Sequence, residues 1–255
     1  MYYVQTFCVL EQLFNNKYDF DTIKSQEGVQ VMNIEKFEAA GKEATLYHSK
    51  ESGSPLIILN NYAGDGKPVM EAAEKLERKD FNLLCVGNLN WDHDMTPWYC
   101  PPTSPKDTPC TGGADEYLKL LLDDILPECL KRVNGKPSHI SIAGYSLAGL
   151  FALYALYHTD VFERAASMSG SLWFPDFKEY VLSHEMKRKP DKLYLSLGDK
   201  EAKTRNRYLK AVQENTENIA AHFREEEIDV TLEMNPGNHF KDAALRSAKG
   251  ILAII

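Results

Sequence analysis

Ile140-Ser-Ile-Ala-Gly144-Tyr-Ser146-Leu-Ala148-Gly149 decides how the rest of the chain is read. A short β-rich run feeds a serine flanked by small residues, and a nearly all-apolar stretch then continues to His158. This is the G-x-S-x-G pattern of a nucleophile elbow, with Ala148 in the last small position. A serine on such a tight strand-to-helix turn takes strained backbone angles, so neighbours two residues away must be small. The helix that follows aims its positive end and free amides at one point, where negative charge on an oxygen would be stabilised. A phosphate-binding P-loop is excluded, because no Gly-Lys-Ser/Thr follows a Gly-rich run.

Outward from the elbow, strands and helices alternate. Pro55–Leu59, Phe81–Val86, His139–Ala143, Arg164–Met168, Lys192–Leu197 and Asp229–Met234 read as strands. Val69–Lys79, Ala114–Arg132, Ser146–His158, Thr204–Glu226 and Phe240–Ile254 read as helices. Val29–Phe37 and Glu43–His48, around Gly41, alternate apolar and polar residues as an antiparallel hairpin at a sheet edge would. Asn88 to Gly113 reads as a long loop rich in Pro and Trp. Residues 1–27 form an N-terminal extension, with Tyr2–Phe14 open between strand and helix and the rest polar. The expected architecture is α/β: a mostly parallel central sheet with an antiparallel N-terminal edge and helices on both faces. Residues 1–255 make one domain, and only about 23 residues separate the Arg164–Met168 and Lys192–Leu197 strands, too few for a large cap.

Composition narrows the function classes. The 255 residues carry 44% hydrophobic and 26% charged side chains, as globular chains do, which excludes a disordered or fibrous protein. A formal charge of −8 argues against a nucleic-acid partner. No run approaches the ~18 apolar residues of a membrane span, so no membrane partner is expected. The five cysteines are odd in number and irregular in spacing, without a CxxC. Cys100 and Cys110 share one loop and could pair, but the pattern reads as that of a reduced, cytoplasmic protein. The N-terminus has no basic region and no small-residue cleavage site, so no secretory signal is expected.

A serine hydroxyl is a weak nucleophile and needs a base, itself oriented by a carboxylate. In this fold class the chain order is Ser, then acid, then His. Of the seven histidines, His158, His184, His222 and His239 follow Ser146. His158 ends the elbow helix, and His184 and His222 lie in charged helical stretches. His239 lies in Asn235-Pro-Gly-Asn-His-Phe240, a turn-rich loop at the end of the last strand, and is the expected base. The acid comes from Gly198-Asp-Lys-Glu201: Glu201 is favoured, with Asp199 second. Leu147 would supply one backbone N–H to an oxyanion hole. The loop Asn60-Asn-Tyr-Ala-Gly-Asp-Gly66 would supply the other, from Tyr62 or Asn61.

Gly144-Tyr-Ser-Leu-Ala-Gly-Leu-Phe-Ala-Leu-Tyr154 resembles the elbow and helix of the esterase-D-like serine esterases, which include the enterochelin esterases. Ser169-Gly-Ser-Leu-Trp-Phe174, Gly198-Asp-Lys-Glu201 and Pro236-Gly-Asn-His239 are similar to that family's serine-rich, acid-bearing and histidine segments. The resemblance covers about residues 29–255 and implies an α/β-hydrolase fold with a Ser146–His239–Glu201 triad. It leaves the ester open among siderophore, aryl and acyl-sugar classes.

The loop from Trp91-Asp-His-Asp-Met-Thr-Pro-Trp98 to Tyr117 departs from better-known members in length and in its tryptophans and acids. Trp91, Trp98 and Trp173, all three tryptophans, fall in loops at the active face. With Tyr145, Asp92 and Asp94 they are the expected substrate contacts, suited to stacking on rings or sugars. Asp92, His93 and Asp94 are poorly spaced for a metal, and no G-x-G-x-x-G opens an early βα unit, so neither metal nor cofactor is expected. The expected chemistry is hydrolysis of a small-molecule carboxylic ester through an acyl-enzyme. Acyl transfer on the same triad and a catalytically silent binding protein are the alternatives.

Overall fold

A computed structural model describes residues 33–76 and 80–255. The N-terminal extension assigned to residues 1–27 lies outside the described residues. A hairpin, β1 (Ile34–Ala39) and β2 (Lys42–Tyr47), opens the fold, followed by β3 (Leu56–Asn60), α1 (Lys67–Lys75) and β4 (Asn82–Gly87). Next come α2 (Trp91–Asp94), two short strands β5 (Tyr99–Cys100) and β6 (Cys110–Thr111), and the helical run α3 (Ala114–Leu120), a π-helical segment Leu121–Ile125 and α4 (Leu126–Leu130). Then β7 (Ile140–Tyr145), α5 (Leu147–His158), β8 (Arg164–Met168), α6 (Phe177–Ser183) and β9 (Lys192–Gly198) lead to a 3-10 turn Leu209–Ala211. The chain continues through α7 (Val212–Glu225), β10 (Asp229–Asn235) and α8 (Ala243–Ala253).

Eight strands form one sheet in the order β1-β2-β4-β3-β7-β8-β9-β10. The β1–β2 and β2–β4 pairs are antiparallel, and the other five are parallel. The mostly parallel α/β sheet with an antiparallel N-terminal edge is therefore as expected. Helices α1 and α8 cover one face, and α3, α5 and α7 the other. Strands β3 and β4 are buried along their whole length, which is why they read as unbroken apolar runs. Helix α5 is buried from Leu147 to Tyr157, which explains its lack of a polar face. Each large apolar side chain so buried contributes roughly 1.5–3 kcal/mol, so the turn ahead of α5 rests on a fixed support.

Several expected boundaries move, for identifiable reasons. The stretch expected as the loop Asn88–Gly113 contains α2 and the β5–β6 ribbon. Cys100 and Cys110 face each other across that ribbon and are free, as are Cys85 and Cys129, and all four are buried. The helix expected over Ala114–Arg132 widens to π geometry just before Pro127, which has no N–H for the regular ladder. The helix expected from Thr204 begins only at Leu209, because Asn206 turns the chain. Its Oδ1 accepts from the N–H groups of Tyr208 (2.9 Å) and Leu209 (3.3 Å), and its Nδ2 donates to Thr103 O (3.0 Å). Helix α6, unassigned from the sequence, lies between β8 and β9, where no cap is inserted. No helix among the described residues is long and apolar enough to cross a membrane.

Candidate active site

Ser146 stands between β7 and α5 with φ 60° and ψ −123°, a conformation L-residues rarely adopt. Gly144 is required there: a Cβ on it would collide with the Ala148 carbonyl and lie 2.7 Å from the Ala148 Cβ. Ala148 therefore packs directly against the glycine, with no room between them for a second Cβ. The serine backbone is pinned on both sides, its N–H donating to Met168 O (3.1 Å) and its carbonyl accepting from Ser171 N–H (3.0 Å). Ser146 Oγ lies 3.0 Å from His239 Nε2, and His239 Nδ1 lies 2.8 Å from Glu201 Oε2. An ionised carboxylate only accepts, so Nδ1 carries the proton toward Glu201 and Nε2 is left to accept from the serine.

The Glu201 side chain is 4% exposed. Its Oε1 accepts from Gly198 N–H (2.6 Å), Ser169 Oγ (2.8 Å) and Arg246 Nη1 (3.1 Å). Burial pushes its carboxyl up, but the hydrogen bond and charge of His239, followed by Gly198 N–H and the Ser169 hydroxyl, outweigh it and hold the group below the usual glutamate range. Asp199 faces elsewhere, accepting from Gly237 N–H at 2.7 Å, a bond that holds its carboxyl low. Of the two acids weighed from sequence, Glu201 touches His239, while Asp199 ties the acid loop to the histidine loop. Tyr145 OH donates to the His239 carbonyl (2.5 Å), and burial pushes its pKa up to about 12, so it stays a donor.

These groups open onto a cavity of about 740 Å³ whose walls include Trp91, Asp92, Tyr145, Trp173 and Phe240. Tyr62 and Trp91 meet edge to face, ring centroids 5.1 Å apart, on one wall. Burial, with the nearby charge of Asp107, raises the Asp92 carboxyl despite a hydrogen bond from Thr108. Leu147 lines the cavity at the start of α5, and so do Asn61 and Tyr62. Asn61 N–H is spent on Val86 O (2.9 Å), which removes it from contention as an oxyanion donor.

Two expected substrate contacts are corrected. Trp98 does not line the cavity; it packs among Tyr154, Phe174, Phe177 and Tyr180 and donates its Nε1–H to Pro175 O (3.0 Å). Asp94 is also off the wall, buried in an ion pair with Lys42 (2.6 Å) and accepting from Asn90 N–H. Asp92, His93 and Asp94 engage Thr108, Thr111 and Lys42 respectively, and no group able to hold a metal gathers among the described residues. His158 and His184 meet around Tyr180 instead, away from the serine.

Sequence reasoning missed Ser169 and Arg246. Ser169 follows β8 with φ 44° and is fully buried against Glu201. Arg246 was detectable: it shares the buried stripe of α8 with Ser247, Gly250 and Ile251, where a cation needs a reason to be.

A doubly covered, mostly parallel sheet with a strained serine at the end of a central strand defines the α/β-hydrolase class. The Esterase family model, described as "Putative esterase", matches residues 69–242, and the chain belongs to that family. The Bacillus subtilis (strain 168) protein YbbA, described as uncharacterized, is 22% identical over 229 residues, 82% of this chain and 90% of its own. Among solved structures, an IroE-like serine hydrolase from Shewanella oneidensis superposes with a TM-score of 0.70 at 17% identity, over 87% of this chain and 79% of that one. The siderophore hydrolase EstB from Aspergillus nidulans superposes with 0.68 at 18% identity, over 91% and 95%. The protein is an esterase.

Proposed function

We propose that this esterase works through a Ser146–His239–Glu201 triad and an acyl-enzyme. The hydrogen-bonded line from Ser146 Oγ through His239 to Glu201, opening on the cavity, is the observation that carries the reading. Ser146 Oγ attacks the ester carbonyl while His239 Nε2 takes its proton and then hands it to the departing alcohol. The N–H of Leu147, with Tyr62 as second donor, stabilises the tetrahedral oxyanion. Water, deprotonated by the same imidazole, releases the acid and restores the serine.

The substrate is a bulky ester with a ring system, of the siderophore, aryl or acyl-sugar type. The aromatic wall of Tyr62, Trp91 and Trp173 supports this, and so does the siderophore hydrolase EstB among structures of the same fold. The unpaired state of all four described cysteines favours a reducing, cytoplasmic setting. A fluorophosphonate probe is expected to label the wild type and leave Ser146→Ala unlabelled. A panel of trilactone, feruloyl and acetyl-sugar esters, with Ser146→Ala as the blank, is expected to show turnover lost in the variant. Equal labelling of both proteins would remove Ser146 from its role.

A further inference from the structure

We propose that Arg246 is a positioning residue for the triad, a single buried guanidinium that ties together the carboxyl ends of four adjacent strands. The inference rests on the serine-esterase reading above. Arg246 is 1% exposed, in helix α8. Its Nη1 donates to Glu201 Oε1 (3.1 Å), to Ser169 Oγ (3.1 Å) and to Tyr145 OH (3.4 Å), and its Nη2 donates to Pro236 O (3.1 Å). Tyr145 ends β7, Ser169 follows β8, Glu201 follows β9 and Pro236 follows β10. The partners are thus the residue before the nucleophile, the acid, the serine that also binds the acid, and the start of the histidine loop. Through Tyr145 OH the same guanidinium reaches the His239 carbonyl.

The space around it is shaped to this purpose. A Cβ on Gly198 would lie 2.9 Å from Glu201 Oε1 and 3.0 Å from Arg246 Nη1, so only glycine lets the acid loop close over the pair. A planar fork can hold several oxygens at fixed angles, which an ammonium cannot. A cation this deep is costly unless it is paired and fully bonded, and Glu201 supplies the charge.

The charge has a second effect. Glu201 lies between two groups, Arg246 on Oε1 and His239 on Oε2. When the imidazole takes the serine proton, the two cations share one carboxylate. Lys200 and Lys203 belong to the same loop but stand near exposed Asp199, and Glu233 feels Arg246 from β10, where it also pairs with Lys249. Arg246 therefore fixes the geometry of the base and places a second positive charge on the carboxylate that the base uses.

The test is the pH profile of kcat and kcat/KM for Arg246→Met and Arg246→Lys, per active site titrated to completion with a fluorophosphonate. Arg246→Met is expected to lower plateau kcat by about tenfold or more. It should also move the acid limb of kcat/KM up by roughly half a pH unit or more, because a like charge beside the base is gone. Arg246→Lys is expected to keep the wild-type limb while losing kcat several-fold, since the charge stays and the fork does not. A purely structural role predicts only a lower Tm. Wild-type kcat and acid limb per titrated site in Arg246→Met overturn the proposal; if that variant does not fold, wild-type kcat in Arg246→Lys does so. A wild type that neither labels nor turns over an ester would instead overturn the underlying serine-esterase reading.

Discussion

At the scale of single residues, the two carboxylates of the acid loop separate cleanly. Glu201→Gln keeps the shape of the side chain but cannot fix the imidazole tautomer, and a loss of about 10⁴ in kcat is expected by analogy with other triads. Asp199→Asn, which changes the bond to Gly237 N–H and removes a surface charge near Lys200 and Lys203, should stay within a few-fold of wild type. Steady-state kinetics on one aryl ester distinguishes them, and comparable losses in both would refute the assignment of Glu201. The elbow pattern marked Ser146, chain order pointed to His239, and the distance from Gly198 favoured Glu201, because a chain leaving a strand needs a few residues to turn back. It did not reveal Arg246, whose partners are distributed over four strand ends and have no common spacing. That the Asn61 N–H is already taken was hidden. It depends on a hydrogen bond to Val86, a residue of the neighbouring strand.

At the scale of elements, the tryptophans divide between two tasks. Trp91, on the cavity wall against Tyr62, should contribute to binding: Trp91→Ala is expected to raise KM for a bulky aryl ester by about tenfold, the equivalent of one aromatic contact. Trp98 wedges the β5–β6 region onto α5 and α6. Trp98→Ala should cost about 3 kcal/mol or more in urea unfolding and leave kcat/KM of the folded enzyme near wild type. The reverse pattern would return Trp98 to the binding surface. Composition could show that three tryptophans lie in active-face loops, but it could not show which way a ring turns. That is decided by α6, whose Phe177 and Tyr180 receive Trp98 and whose seven residues gave too short a periodic signal to be assigned. Strands and long helices were legible because burial on one or both faces writes a period into the chain. The late start of α7 was not, since a single side chain, Asn206, redirects a segment of helical composition.

At the scale of the whole molecule, the two ends of the parallel sheet do different work. The carboxyl ends carry the candidate chemistry. The opposite end is closed by Asp80, whose carboxylate accepts from Ser49 Oγ (2.5 Å), Glu51 N–H (2.8 Å), Ser54 Oγ (3.1 Å) and Lys50 N–H (3.2 Å). Burial pushes that carboxyl up, but these bonds prevail and hold it below the usual aspartate range. A group whose folded pKa is depressed stabilises fully above its unfolded value, about 3.9, and loses that contribution as pH falls through the folded value. Asp80→Asn is therefore expected to cost about 1–2 kcal/mol near pH 7, with the gap to wild type closing toward pH 3. Urea titrations at both pH values check this, and kcat/KM should be unchanged. A gap that widens in acid would contradict the sign.

The order in which the chain is made gives the buried guanidinium a further consequence. On the proposed mechanism, Ser146 leaves the ribosome 93 residues ahead of the histidine that would activate it, and Tyr145 leaves 101 residues ahead of Arg246. Synthesis runs from the N-terminus and early segments can begin to fold first, so β1 to β8 can assemble while the nucleophile has neither base nor acid. Only when α8 docks does Arg246 join the four strand ends to one another. On that reading a half-made chain is a scaffold with an idle serine, and hydrolytic power would arrive late in synthesis, once the molecule can already shelter it.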